Sequence, residues 1–251
     1  MKFKNKTALI TGASVGIGRA VALKLAQNGA KVVLFDIDYE KLESVKKEIE
    51  EYTKDVLIFK CDVSDEEKVY AFVKEAEKVL GGIDILVNNA ALWRCWSDFV
   101  STSTDEWQKF MDVNVMGTVY VTKAVLPKMI ENKYGRIINV SSVAGVYGNA
   151  NMAHYSATKG AIISMTKALA KEVSDKGILV NCVSPGSVSD SANPDVNSFQ
   201  PSELSFMGRT GTNAENANLI CFLASDEASY ISGQNIQIDG CRKGRTKFFR
   251  V

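Results

Sequence analysis

Short β-branched or aliphatic runs alternate with longer amphipathic stretches along the whole 251-residue chain. A chain patterned this way folds as βαβ units on a parallel sheet, because each apolar strand needs a helix layer over both of its faces. The runs 7–11, 31–36, 56–61, 83–88, 136–141, 179–184 and 235–239 predict strands. Ile17, Ala20, Val21, Leu23 and Leu25 recur at helical spacing and predict a helix over 16–28, stopped by Gly29. Further helices are expected over 65–80, 105–131, 152–174 and 214–223. No change in composition marks a linker, so the expectation is one α/β domain over 1–251, a doubly wound parallel sheet of about seven strands flanked by helices.

Residues 187–206 break the rhythm. They are rich in Ser, Asn and Asp, hold Pro194 and Pro201, and carry no apolar stripe. A segment this long inside a compact domain reads as a lid (about 187–207), with a plain solvated loop as the alternative.

Charge and cysteine content narrow the function classes. Thirty Lys+Arg against 29 Asp+Glu leave a net charge of +1, so no overall field draws in nucleic acid or an anionic membrane. The apolar run Ala8-Leu9-Ile10 is too short for a secretory core or a membrane span, and a cytoplasmic protein is expected. Five scattered cysteines (Cys61, Cys95, Cys182, Cys221, Cys241) and a single histidine, His154, form neither a disulfide framework nor a zinc set. No metal is expected.

The chemistry begins where the first strand runs into Thr11-Gly12-Ala13-Ser14-Val15-Gly16-Ile17-Gly18 and then a helix. Glycines here allow a tight turn, let backbone N–H groups approach a pyrophosphate, and let helix and strand pack closely. Asp36 closes the next strand, eighteen positions after Gly18, where a carboxylate accepts hydrogen bonds from the adenine ribose hydroxyls of NAD. An NADP 2′-phosphate brings about −1.5 to −2 charges, which Asp36 repels. Val15, beside the second glycine of the turn, and Ile37, just after the second strand, are neutral.

The spacing Gly-x-x-x-Gly-x-Gly resembles that of the short-chain dehydrogenase/reductase family, and the resemblance covers about residues 6–240. Asn88-Asn89-Ala90-Ala91 follows the fourth strand, where the family usually has Asn-Asn-Ala-Gly; Asp62-Val63 follows the third and resembles the adenine-contacting pair. Asn114, Ser142, Tyr155-Ser156-Ala157-Thr158-Lys159 and Pro185-Gly186 complete the order. The resemblance implies a Rossmann-type fold, a homotetramer or homodimer packed through 105–131 and 152–174, and NAD as cofactor. Its binding residues would be Gly12, Ser14, Gly16, Ile17, Gly18, Asp36, Asp62, Val63, Asn89, Ala90, Tyr155, Lys159, Pro185, Gly186 and Val188. Among the catalytic residues it implies, Tyr155 is general acid/base, Ser142 steadies the substrate oxygen, Lys159 lowers the tyrosine pKa and holds the nicotinamide ribose, and Asn114 anchors a water leading from Lys159 to solvent.

The Tyr-Lys pair also stands on elementary electrostatics. Four residues apart on a helix, the two side chains share a face. A tyrosine titrates near about 10, so acting as a base near neutrality takes roughly three pH units, or about 4 kcal/mol. Burial works against this, so nearby positive charge must supply it. Ser142 is preferred to Ser141 because strand neighbours point to opposite sides and because its spacing to the tyrosine fits the family.

Two positions depart from the family. Ala91 replaces a glycine, and Asp190 stands where a threonine would meet the nicotinamide amide. An ionised aspartate accepts from the amide NH₂ but cannot donate to its carbonyl, which makes Ser189 or Ser191 the substitute donor. Trp93 and Trp96 of Leu92-Trp93-Arg94-Cys95-Trp96 either line an apolar pocket or pack their loop. His154 reads as a packing residue beside Tyr155, and Arg242, Lys243, Arg245, Lys247 and Arg250 as a solvated basic tail over about 241–251. The expected reaction is NAD(H)-linked hydride transfer to or from a small-molecule secondary alcohol or ketone, alicyclic or steroid-like. A 3-oxoacyl thioester reductase is the alternative, fitted less well by Val15 and the polar lid, and a non-catalytic dinucleotide sensor is the alternative of another class.

Overall fold

The computed structural model describes residues 2–93, 96–189 and 192–243. Seven strands, β1 (Thr7–Thr11), β2 (Lys31–Asp36), β3 (Val56–Lys60), β4 (Ile85–Asn88), β5 (Gly135–Val140), β6 (Ile178–Pro185) and β7 (Asn235–Ile238), form one parallel sheet in the order β3-β2-β1-β4-β5-β6-β7. The order reverses between β1 and β4, which opens a crevice at the carboxyl ends of the strands. Strand alternation sorts the core. Ala8 and Ile10 face a layer holding Val21 and Leu25 of α1 (Gly16–Gln27), Leu42, Val45 and Ile49 of α2 (Tyr39–Ile49), and Ile220 of α8 (Asn213–Leu223). Leu9, between them, faces the opposite layer, with Val69 and Val73 of α3 (Glu66–Leu80) and Val121, Val125 and Met129 of α5 (Gly117–Asn132).

The strands match their expected positions to within two residues; Ile83, Cys61, Ser141 and Asp239 lie just outside them. Two corrections concern helices. The helix α2 had no counterpart in the expected set, although Leu42, Val45 and Ile49 recur at helical spacing and Asp38 caps its start by accepting from the Lys41 amide at 3.2 Å. The single helix expected over 105–131 is α4 (Thr104–Met111), a π-helical turn (Asp112–Met116) and α5. The wide turn inserts a residue into the helical register, and such insertions gather at functional sites. Two more helices, α6 (Val143–Tyr147) and α7 (Ala153–Val173), follow β5.

Buried amides tie the helices to the sheet beneath the crevice. Asn88 Nδ2 donates to Asn139 Oδ1 at 2.9 Å and to Thr122 Oγ1 at 3.0 Å, and Asn139 Nδ2 donates to Thr166 Oγ1 at 2.9 Å. Since a buried amide without its partners is costly, this chain fixes α5 and α7 against β4 and β5. Among the described residues, no helix is long and apolar enough to cross a membrane and no cluster of side chains could hold a metal ion.

Candidate active site

The turn after β1 closes on itself. Gly12 and Gly16 take φ of +62° and +59°, and a Cβ on Gly18 would fall 2.0 Å from the Gly12 carbonyl oxygen. The N-cap residue of α1, Val15, makes no side-chain cap, and its first turn holds no acidic residue, so its leading N–H groups and the positive end of its dipole are left for an anion. Across the switch point the Thr11 hydroxyl accepts from the Asn89 and Ala90 amides, both at 3.0 Å, while Asn89 Nδ2 donates to the Thr11 and Gly12 carbonyls at 3.0 Å. This latch between the β1 and β4 ends places the glycine turn. The sequence reading did not single out Thr11, although a hydroxyl closing a buried strand just before such a turn was the available signal.

Asp36 ends β2 with both carboxylate oxygens engaged locally, Oδ2 accepting from Ser14 N and Oδ1 from Asp38 N, each at 3.0 Å. The carboxylate is therefore held against the glycine turn. Among the described residues no basic side chain of the cavity wall is bound to it, and Lys41, near enough to feel its charge, is paired with Asp38 and lies outside the wall. Arg19 is bound to Glu48 and to the Pro194 carbonyl (2.9 Å), Lys31 sits at the far end of β2, and Lys60, the register partner of Asp36, does not line the cavity.

Ser142 follows β5 and caps α6, its Oγ accepting from Ala144 N at 3.1 Å. Tyr155 lies in the first turn of α7 and Lys159 one turn on. The Lys159 ammonium is buried, donates to the Val140 carbonyl at 2.8 Å, and lies 5.8 Å from the Tyr155 ring centroid. Burial pulls the Lys159 pKa down to about 8, against a small opposing effect of Cys182. Burial also pushes the Tyr155 phenol above its ordinary value, and a hydrogen bond with Ser142 works in the other direction. The ammonium of Lys159 is meanwhile turned to a strand carbonyl. Ser141, the serine not chosen, is buried and donates to the Lys159 carbonyl at 2.7 Å, holding α7 to β5.

Asn114 is buried in the π-helical turn. Its Oδ1 accepts from Leu92 N at 2.7 Å, and its Nδ2 donates to Leu92 O at 3.0 Å and Thr158 Oγ1 at 3.1 Å. The side chain therefore holds the loop after β4 against α7. His154 is fully buried: Nδ1 accepts from Tyr155 N at 2.9 Å, Nε2 lies 3.5 Å from Glu106 Oε1, and the ring stacks on Phe110.

A cavity of 1320 Å³ joins these parts. Of the residues anticipated from sequence it is lined by Gly12, Ser14, Gly16, Ile17, Asp36, Asp62, Val63, Asn89, Ala90, Ser142, Tyr155, Lys159, Pro185, Gly186 and Val188; Gly18 and Asn114 are not in its wall. Gly18 acts from behind, by letting the turn close. The wall fits a dinucleotide: uncapped helix amides for a pyrophosphate, a fixed carboxylate for a ribose, and the Tyr155–Ser142 pair at the other end. Beyond that pair lie Ala91, Leu92, Trp93, Trp96, Met152 and Leu204, so the tryptophans do line the pocket, meeting edge to face at 6.2 Å. Arg94, Cys95, Asp190, Ser191, Arg245, Lys247 and Arg250 lie outside the described residues; Ser189 lines the cavity. The sequence reading missed Arg242 and Lys243, which also line it.

The described residues of 187–206 contain no helix or strand, as expected, but they are not featureless. Isolated bridges join Val188 to Gly211, Pro201 to Arg209 and Ser205 to Arg242. The last of these clips the end of the segment to the chain terminus, with Phe206 N donating to Cys241 O and Lys243 N to Leu204 O, both at 2.9 Å.

Residues 12–241 match a family model described as enoyl-(acyl carrier protein) reductase. The chain is 40% identical over 243 residues to 3-oxoacyl-[acyl-carrier-protein] reductase FabG of Thermotoga maritima, covering 96% of this chain and 98% of that one. It is 37% identical over 238 residues to nodulation protein G of Rhizobium sp. (strain N33), covering 94% and 96%. A crystal structure of NAD⁺-bound xylitol dehydrogenase superposes with a TM-score of 0.89 at 32% identity, covering 96% of this chain and all of the other. With its parallel sheet, its glycine turn and its Ser142, Tyr155 and Lys159 gathered in one crevice, the chain is an oxidoreductase that belongs to the short-chain dehydrogenase/reductase family.

Proposed function

We propose that the protein is an NAD(H)-linked reductase of 3-oxoacyl thioesters, working on the 3-oxo carbon and, in reverse, on the 3-hydroxy carbon. The observation that carries the chemistry is the pairing of the Ser142 and Tyr155 hydroxyls in one cavity wall with buried Lys159 behind them. Two hydroxyls converging on one point hold and protonate a carbonyl oxygen. When bound, NADH supplies the hydride, and its oxidised ring the positive charge that the tyrosinate lacks in the protein alone. Asn114 and the Thr11 latch act at a remove, fixing the loop after β4 that lines the same cavity.

The substrate class is supported by the 3-oxoacyl reductases among the relatives, and this displaces the simple alicyclic or steroid-like alcohol favoured from sequence. The objection drawn from a polar lid weakens in three dimensions, since Val188 and Leu204 of that segment join Leu92, Trp93 and Met152 in an apolar wall suited to an acyl chain. The cofactor assignment is supported by Asp36 and by the engagement of Arg19 elsewhere. A second reading, oxidation of a polyol, is favoured by the NAD⁺-bound xylitol dehydrogenase neighbour. We further propose a cytoplasmic homotetramer or homodimer, which light scattering on the purified protein tests.

The deciding experiment follows NADH and NADPH oxidation with the acetoacetyl thioester of N-acetylcysteamine, and NAD⁺ reduction with xylitol and cyclohexanol. The expected result is thioester turnover with kcat/KM at least about a hundredfold higher for NADH, equivalent to about 3 kcal/mol. Turnover of xylitol with none of the thioester rejects the substrate class, and equal values for both cofactors reject the role of Asp36.

A further inference from the structure

The wall of the substrate end holds a cation that the reaction above does not use. Arg242 is half-buried, lines the same cavity as Tyr155, and is held in place on several sides. Its Nη2 donates to Asn149 Oδ1 at 2.9 Å, and the Asn149 amide in turn donates to the hydroxyl of Ser156, next to Tyr155, at 3.1 Å. The Arg242 amide donates to Asp239 Oδ1 at 3.3 Å, and its backbone bridges to Ser205 at the end of the lid segment. The guanidinium carbon lies 5.9 Å from the Tyr147 ring centroid. Among the described residues Arg242 takes part in no ion pair, because the nearby Asp239 carboxylate is turned to its backbone. The neighbouring Lys243 lines the cavity too, its ammonium 5.5 Å from the Phe206 ring centroid, and likewise has no carboxylate partner among the described residues.

An arginine held in a cavity wall with its remaining N–H groups unspent, and a lysine beside it, make a receptor for a planar oxyanion. From this we infer that Arg242, backed by Lys243, is a specificity residue that takes a carboxylate carried by the substrate. Two hydrogen bonds, through Asn149 and the hydroxyl of Ser156, tie its guanidinium to the residue next to Tyr155, and both Arg242 and Tyr155 line the same cavity. The fork matches a carboxylate on a short oxo or hydroxy acyl group, and a phosphate at the far end of a long carrier arm is the alternative that the test separates. The inference rests on the proposed function for the place of the reacting carbon, beside Tyr155, and goes beyond it by widening the substrate class to oxo and hydroxy acids that keep a free carboxylate.

The test measures binding to the enzyme–NAD⁺ complex by calorimetry at fixed ionic strength, with 3-hydroxybutyrate against its methyl ester and coenzyme A against pantetheine. The wild-type protein should bind the acid about ten- to a hundredfold more tightly than the ester, the span of a hydrogen bond to a charged group. Arg242→Gln should bring that ratio close to one, and Arg242→Lys, which keeps charge without the fork, should retain part of it. A wild-type ratio near one overturns the inference whatever the variants do. So does a ratio unchanged in Arg242→Gln, or a preference confined to coenzyme A over pantetheine. An intact acid preference in a protein that does not turn over the neutral acetoacetyl thioester supports the role of Arg242 while rejecting the proposed function.

Discussion

Replacing Lys159 with methionine should make the protein more stable and inactive. The ammonium is buried and its pKa lies at about 8 against an ordinary lysine value of 10.5. At about 1.36 kcal/mol per pH unit, holding the charge in the folded state costs about 3 kcal/mol near neutrality. Methionine matches the length of the stem and removes the charge, at the loss of the hydrogen bond to the Val140 carbonyl, which offsets about 1 kcal/mol. The net gain of about 2 kcal/mol corresponds to a midpoint about 4–8 °C higher for a domain of this size.

The dependence on pH gives the sharper test. Below about pH 8 both folded and unfolded wild-type chains are protonated at Lys159 and the penalty is complete. Between 8 and 10.5 the folded state has lost the proton that the unfolded state still binds, so wild-type stability gains from this residue as pH rises. The variant has no such gain. Cys61 and Cys221, pushed up by burial to about 12, titrate mainly in the unfolded chain and lower stability in the same window, but they do so equally in both proteins and cancel. Urea unfolding at one protein concentration, repeated from about pH 7 to pH 10, should show the advantage of Lys159→Met shrinking steadily. A constant gap across that range, or a variant less stable at pH 7, would refute the claim that the site stores an unfavourable buried charge.

Tyr155→Phe should lose at least about a hundredfold in turnover with NADH affinity nearly unchanged, and Ser142→Ala should fall by the same kind of measurement; a variant of Tyr155 keeping more than about a tenth of the activity contradicts its role. Asp36→Ala should relax the preference for NADH over NADPH, and adding Ile37→Arg should move it further, read as a ratio of kcat/KM values. Gly145→Ala would set a Cβ 2.5 Å from the Lys159 carbonyl carbon, so α6 and α7 must part; turnover should drop severely while circular dichroism keeps its helical signal. Residues 187–206, whose described part carries isolated bridges but no helix or strand, should exchange amide hydrogens quickly when free and more slowly with cofactor and substrate bound. Equal strong protection in both states would reject the lid.

What the sequence by itself determined was everything that depends on neighbours along the chain. Strand alternation separates Leu9 from Ala8 and Ile10 into opposite helix layers, and the glycine turn, Asp36 and the four-residue step from Tyr155 to Lys159 are each readable within one element and its flanks. The helix α2 was readable in the same way, from Leu42, Val45, Ile49 and the Asp38 cap, and its omission came from a mixed polar face. What only the tertiary structure decided was where side chains far apart in sequence spend their hydrogen bonds. Asn114 sits where the family pattern puts it, yet its amide is used on Leu92 and Thr158; Lys159 shares a face with Tyr155, yet its proton goes to Val140. Arg242 read as part of a solvated tail until the Ser205 bridge and Asn149 turned it into the cavity. Spacing along a helix settles which groups share a face; the buried partners that claim their donors come from other strands, and only packing brings them within reach.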